Sequence, residues 1–220
     1  TYSETFDIKP IRLRARTTTR LDMSVLERYK GKPMYVIERG VSDRIARLMD
    51  VRQKGNTVAF PWRDAKGRLR AVKFRSTVNK TFWYEKGGED IRNLLYGIDV
   101  VHRYKCRQVA LVEGEIDALY LMTAGVAAVA TGSAGMMNER KAELLAGSPV
   151  EEVVIFPDND EAGERMKRKA VDLLRNYGHI NVRVVEYPRE YKDANDVEDA
   201  NKLMEYIKKS KYVGKIYKIM

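Results

Sequence analysis

The sequence predicts an α/β protein in which a four-stranded parallel sheet flanked by helices follows a smaller, basic α+β unit. Three observations carry this prediction. From Arg107 onward, an apolar strand, a loop, an amphipathic helix and a glycine stop recur in order. Before Cys106 the elements are shorter and centre on one hairpin. The charge divides at the same place: residues 1–106 hold 24 Lys+Arg against 12 Asp+Glu, whereas residues 107–220 hold 17 against 19.

In the first unit, Pro33–Arg39 and Ser42–Met49 read as short helices broken at Gly40. Thr57–Trp62 and Arg68–Phe74 read as strands around the turn Asp64-Ala65-Lys66-Gly67. In the second, strands are expected at Gln108–Val112, Val126–Ala130, Glu152–Phe156 and Asn181–Tyr187. Helices are expected at Glu115–Ala124, Asn138–Ala146 and Asp160–Tyr177, the last burying Ala162, Met166, Ala170, Leu173 and Tyr177. Right-handed crossovers make such strands parallel. The expected division is a basic unit over 1–106, a catalytic unit over 107–200, and a basic helical tail over 201–220 with Leu203 and Ile207 on one face and Lys208, Lys209, Lys211, Lys215 and Lys218 after them.

Composition narrows the function classes. A chain of 220 residues, 44% hydrophobic and 33% charged, can bury a substantial core. It contains no apolar run of about 18 residues, so no membrane association and a cytoplasmic location are expected. One cysteine, Cys106, and two histidines, His102 and His179, cannot build an ordinary structural zinc site. No Gly-Lys-Ser/Thr follows the glycine-containing loop Thr131–Gly135, which excludes a P-loop there and makes a plain connector the expectation. A chain opening on Thr1 is expected to be part of a longer product. The basic first unit suits a polyanion, although a basic solvated surface has the same composition.

The chemistry is carried by acidic residues placed after strands. In an open parallel sheet the strand-to-helix loops all leave at the carboxyl-terminal edge, so residues far apart in sequence converge there. Glu113 follows the first strand, Asp158 and Asp160 the third, and Asp193 and Asp196 the fourth. So many carboxylates at one rim call for hard divalent cations, Mg²⁺ with Mn²⁺ as substitute. Taken singly, each has a structural reading as well: Asp160 makes a good helix N-cap, and the Lys192-Asp193-Ala194-Asn195-Asp196 run a turn. Glu115, two residues after Glu113, is expected to point away from the metal.

Glu113 with Asp117, then Asp158-x-Asp160-x-x-Gly163, then Lys192-Asp193 resembles the Toprim domain of DnaG-type primases, type IA and type II topoisomerases and some nucleases, over roughly residues 107–200. The first unit resembles the primases. Tyr35-Val-Ile-Glu-Arg39-Gly40-Val-Ser42 is similar to their "Leu-x-x-Arg-Gly-Ile-Ser" segment, Phe60-Pro61-Trp62-Arg63-Asp64-x-x-Gly67-Arg68 to their "Phe-Pro-Ile-x-Asp-x-x-Gly-Arg" hairpin, and Leu95-Tyr96-Gly97-Ile98 to "Leu-Tyr-Gly-Leu". The resemblance to DnaG-type primase catalytic cores implies nucleotidyl transfer that makes RNA primers from NTPs on a single-stranded DNA template. It implies Glu113, Asp158 and Asp160 as metal ligands, supported by Asp117 and Asp193, with Asp193 also in the ligand set. It implies Arg63, Lys73, Arg75 and Lys80 as template and nucleotide contacts, and a replicative helicase as partner; a monomer is expected in isolation.

The chain departs from the pattern where Lys73-Phe74-Arg75 replaces Gly-Gly-Arg and where Asp193-Ala-Asn195-Asp196 replaces Asp-Pro-Asp, leaving the last acidic role open between Asn195 and Asp196. These departures look like the Twinkle and phage primase-helicase branch. Trp62, Phe82, Trp83 and Tyr84 suit base stacking, with core packing the stronger expectation for Trp62. The rival readings are a Toprim metal-dependent nuclease, which leaves segments 33–99 unexplained, and a non-catalytic single-stranded-DNA-binding module; a topoisomerase lacks room for a separate tyrosine-bearing domain.

Overall fold

Alternation along Thr57–Arg63 and Leu69–Ser76 builds the first sheet, because each strand has two apolar faces to cover. A computed structural model of the chain describes residues 21–213. The first unit comprises α1 (Ser24–Glu27), α2 (Met34–Ile37), α3 (Asp43–Leu48) and four antiparallel strands: β1 (Arg52–Lys54), β2 (Thr57–Arg63), β3 (Leu69–Ser76) and β4 (Phe82–Tyr84), in sheet order β1-β2-β3-β4. The β2–β3 turn closes as its residues require: Asp64 Oδ1 accepts from the N–H groups of Lys66 (3.0 Å) and Arg68 (3.1 Å), and Gly67 adopts φ +76°. Ser42 caps α3 through the Ile45 N–H.

The two faces of this sheet have different partners. Ala59, Val72 and Phe74 pack with Leu26 of α1, and Phe74 stacks between Tyr29 and Trp83. Val58, Phe60, Trp62 and Ala71, on the other face, join the principal core with residues of the second unit. Lys73 and Arg75 lie on that same face, paired across the ladder with Phe60 and Val58 on one side and with Tyr84 and Phe82 on the other. Trp62 is fully buried against Tyr96.

After α4 (Ile98–Tyr104), the second unit runs β5 (Gln108–Val112), α5 (Glu115–Thr123), β6 (Ala128–Ala130), α6 (Glu139–Ala146), β7 (Glu152–Ile155), α7 (Glu161–Leu174), β8 (Asn181–Val184), α8 (Ala200–Lys209) and β9 (Lys211–Tyr212). The sheet order is β6-β5-β7-β8-β9, with β5 to β8 parallel and β9 antiparallel to β8. The expected four-stranded sheet is therefore four parallel strands plus a fifth, antiparallel edge strand. The signal for β9 is two residues long, too short for a periodicity to declare it. In residues 200–212, Leu203 and Ile207 share the helical face expected of them and are buried in the core; Lys215 and Lys218 lie outside the described residues.

The stripe of α7 is fully buried at Gly163, Met166, Ala170 and Leu174, with the expected Leu173 and Tyr177 partly buried against the same core and Gly163 in place of the expected Ala162. The helix stops at Leu174, before Tyr177. Chain order reverses at β5, since the chain steps from β5 to β6 on one side and to β7 on the other. The loops after β5 and β7 thus diverge and leave a crevice at the carboxyl edge. Among the described residues no helix is long and apolar enough to cross a membrane.

Candidate active site

The crevice is lined by carboxylates because three strands end there. Glu113 leaves β5 and is 7% exposed; Asp117, one helical turn on in α5, is also buried. Its carboxylate folds back over Gly114, where an added Cβ would fall 2.7 Å from Asp117 Oδ2 and would turn the carboxylate aside. Asp158 follows β7. Asp160 caps α7, its Oδ1 accepting from the Gly163 N–H at 2.8 Å. Asp193 precedes a 3₁₀ turn, Ala194–Asp196, and accepts from the Asp196 N–H at 3.1 Å.

The charges of these groups act on one another. Burial, then the charge of Asp160, pushes the Glu113 carboxyl up to about 7. Burial, then the charges of Glu113, Asp193 and Asp160, pushes Asp158 up to about 7. Asp117 is raised well above the ordinary carboxylate range by burial and by Asp193 and Asp158, and Asp193 is raised by burial and Asp196. The five carboxylates predicted from the sequence, Glu113, Asp117, Asp158, Asp160 and Asp193, therefore share one electrostatic field.

Two side chains that carried no sequence signal hold the rim. Asn159 donates from its backbone to Lys192 O (2.7 Å) and from Nδ2 to Pro188 O (3.0 Å) and Tyr191 O (2.8 Å). The Tyr187 hydroxyl lies 2.7 Å from Pro157 O and 3.1 Å from Lys192 O. Together they tie the loop after β7 to the loop after β8. A tyrosine at a strand end and an asparagine between two aspartates look like packing and turn residues until their partners are known.

The Asn195 and Asp196 alternatives separate. The Asn195 N–H donates to Asp117 Oδ1 at 3.3 Å and its Nδ2 to Arg39 O at 2.7 Å, so Asn195 spans from the first unit to the carboxylate cluster. The Asp196 carboxylate accepts from the Lys192 N–H at 2.9 Å.

Facing the rim is the β3–β4 edge of the first sheet, and a cleft of about 280 Å³ between them is lined by Arg39, Lys73, Arg75, Phe82, Asp117 and Asp193 among others. Arg39 lies with Cζ 3.6 Å from the Tyr35 ring centre, and Arg75 with Cζ 5.1 Å from Tyr35 and 5.3 Å from Phe82. The Arg75 Nε is buried without a hydrogen-bond partner among the described residues. Phe82 and Tyr84 are exposed. The other two cations expected at the cleft have different placements. Arg63 is bound to Asp50 Oδ2 (2.9 Å) and Gly67 O (3.2 Å) in the hairpin. Lys80 is exposed in the turn before β4. Lys73 lines the cleft yet is 4% exposed, its ammonium donating to Glu115 Oε2 (3.0 Å) and Gly132 O (2.9 Å). Glu115 thus points to Lys73, away from the other acids.

The donor set fits a hard divalent cation: all-oxygen, anionic, and with Glu113 Oε1 buried and unpartnered among the described residues. Among the described residues no group of three or more His, Cys, Asp or Glu is already drawn together as a metal cage.

Known proteins share this fold. The Toprim-like family model matches residues 110–198. The Aquifex aeolicus primase structure, comprising zinc-binding and RNA polymerase domains, superposes with a TM-score of 0.73 at 22% identity over 86% of this chain and 60% of that one. A DnaG primase catalytic domain bound to single-stranded DNA gives 0.71 at 17% identity over 86% and 77%. The primase fragment of the bacteriophage T7 primase-helicase gives 0.62 at 24% identity over 91% and 82%. No curated protein matches the sequence. Residues 110–198 are thus a Toprim-like domain, and the chain has the fold of DnaG-type primase catalytic cores, spanning 60% of the Aquifex chain.

Proposed function

We propose that the chain is the catalytic core of a DNA primase, joining ribonucleotides into short RNA primers on single-stranded DNA. The observation that carries this reading is the gathering of five carboxylates at the sheet's switch point, two of which, Asp117 and Asp193, line one cleft with the cationic and aromatic edge of the first sheet, within a primase-core fold. In the reaction a 3′-hydroxyl attacks the α-phosphate of an incoming NTP and pyrophosphate leaves.

Glu113, Asp158, Asp160 and Asp193 would hold Mg²⁺, or Mn²⁺ in its place. When bound, such ions neutralise charge on the transferring phosphoryl group and acidify the hydroxyl. The chain's own part is binding and orientation. Arg75 and Arg39 offer guanidinium groups to the triphosphate across the cleft from the acids. Phe82 and Tyr84 offer ring faces to unpaired bases, and Lys80 a cation to template phosphate. Asn195 keeps the Arg39 segment at a fixed distance from Asp117. A cytoplasmic setting and a replicative helicase as partner belong to the same reading.

A primer-synthesis assay with labelled NTPs, single-stranded DNA and Mg²⁺ tests it on the native chain, Glu113→Gln and Asp158→Asn. Synthesis by the native chain and its loss in both variants is expected. Equal activity in all three sinks the site assignment, and metal-dependent cleavage without NTPs favours the nuclease.

A further inference from the structure

Among the groups around the cleft, Lys73 is a cation whose ammonium is bonded within the protein. Its side chain is 5% exposed and that of Glu115 6%. One ammonium donor goes to Glu115, a second to Gly132 O, and the Phe82 ring covers the ammonium at 4.7 Å. A buried ion pair returns roughly what its desolvation costs, so stability is a poor account of why it is there.

Its geometry offers a better one. Glu115 opens α5, two residues after Glu113 and two before Asp117. Gly132 follows β6, and its N–H donates to the Glu113 carbonyl at 2.8 Å. The Gly132 loop is pressed against the first sheet a second time, since a Cβ there would meet Trp62 at 2.9 Å and φ is +96°. One ammonium on β3 thus grips the chain on both sides of Glu113: through the helix that follows it and through the loop hydrogen-bonded to it.

We propose that Lys73 is a positioning residue that, through Glu115 and Gly132, sets Glu113 and Asp117 in place for the metal, using the basic unit as the anchor. It deepens the primase reading by giving the first sheet a second role, as the frame of the acidic rim.

The test is Mn²⁺ binding to the intact chain by calorimetry, with primer-synthesis kcat and KM for NTP alongside. Lys73→Met and Glu115→Gln are each expected to weaken Mn²⁺ affinity about 10- to 100-fold, the range found when support behind metal ligands is removed. Their effects should not add, and kcat should fall with KM for NTP within about twofold of native. Native Mn²⁺ affinity in Lys73→Met, or a raised KM with unchanged kcat, overturns the proposal and makes Lys73 a phosphate contact instead. Should the single variants not fold, Lys73→Met/Glu115→Met, which leaves neither buried charge unpaired, carries the test: it must fold and still bind Mn²⁺ at least about tenfold more weakly. A failure to fold, or native affinity, in that double variant overturns the proposal. A native chain that binds Mn²⁺ but makes no primers refutes the primase reading alone, and the calorimetric comparison still decides the role of Lys73.

Discussion

Gly163 lies against the backbone of Asp158 so closely that a Cβ on it would fall 2.1 Å from the Asp158 carbonyl oxygen and 2.7 Å from its nitrogen. The glycine lets the first turn of α7 approach the loop that carries the acid, and Asp160 caps that same glycine. The Asp158-x-Asp160-x-x-Gly163 spacing is therefore one structural unit.

Gly163→Ala should destabilise the protein by about 1–3 kcal/mol, as overpacking against immovable backbone does. It should also weaken Mn²⁺ binding, because Asp158 must shift to make room. A urea melt and a calorimetric titration of the same sample check both; native values for each would show that the loop yields freely.

The raised carboxyls predict a pH signature. Glu113 and Asp158 sit near 7 in the folded chain and near 4.5 and 3.8 unfolded, so the folded state holds more protons. Their contribution to stability is fully present below about pH 4 and is lost as pH rises through about 7. In chelator, urea midpoints of Glu113→Gln/Asp158→Asn should fall less steeply than native between pH 5 and 8. Mn²⁺ affinity of the native chain should rise over the same window, as protons leave the ligands.

Lys141 predicts a slope of the opposite sign. Its ammonium is fully buried, donating to Ile91 O (2.8 Å) and to Leu94 O, and burial pushes it down to about 7. The unfolded chain holds this proton up to about 10.5, so the group's contribution to stability grows as pH rises from about 7. Lys141→Met should flatten the stability profile between pH 7 and 9. At pH 9 it should cost about 1–3 kcal/mol, since two carbonyls lose their donor. Denaturant melts at both pH values check this.

Asn195→Ala removes the side-chain bond to Arg39 O while sparing the backbone bond to Asp117. It should raise KM for NTP several-fold and leave Mn²⁺ affinity within about twofold, by an amount typical of one lost hydrogen bond. Asp196→Asn, which keeps an acceptor for the Lys192 N–H, should leave KM for NTP within about twofold. Steady-state kinetics and calorimetry distinguish the two positions.

The alternating strand, helix and glycine pattern made the second unit legible, because each parallel strand is a short apolar run with its own stop. Convergence of Glu113, Asp158 and Asp193 was legible for the same reason: in that topology every such loop leaves at one edge. The direction in which Lys73 points was not. A lysine after a hairpin reads as a groove cation, and only a buried glutamate 42 positions away turns it inward. Asn159 and Tyr187 were equally silent, since their partners are backbone carbonyls, which no residue type announces. The strand β9 was missed because two residues carry no period.

The alternation along β3 gives Lys73 and Arg75 to the cleft and Phe74 to the packing beneath α1. Parity along a strand is all-or-none. A single residue inserted between Ala71 and Lys73 would therefore exchange the two sets at once, sending a ring toward the acids and an ammonium into the Tyr29 and Leu26 cluster. This strand can change its side chains one at a time, but never its length by one.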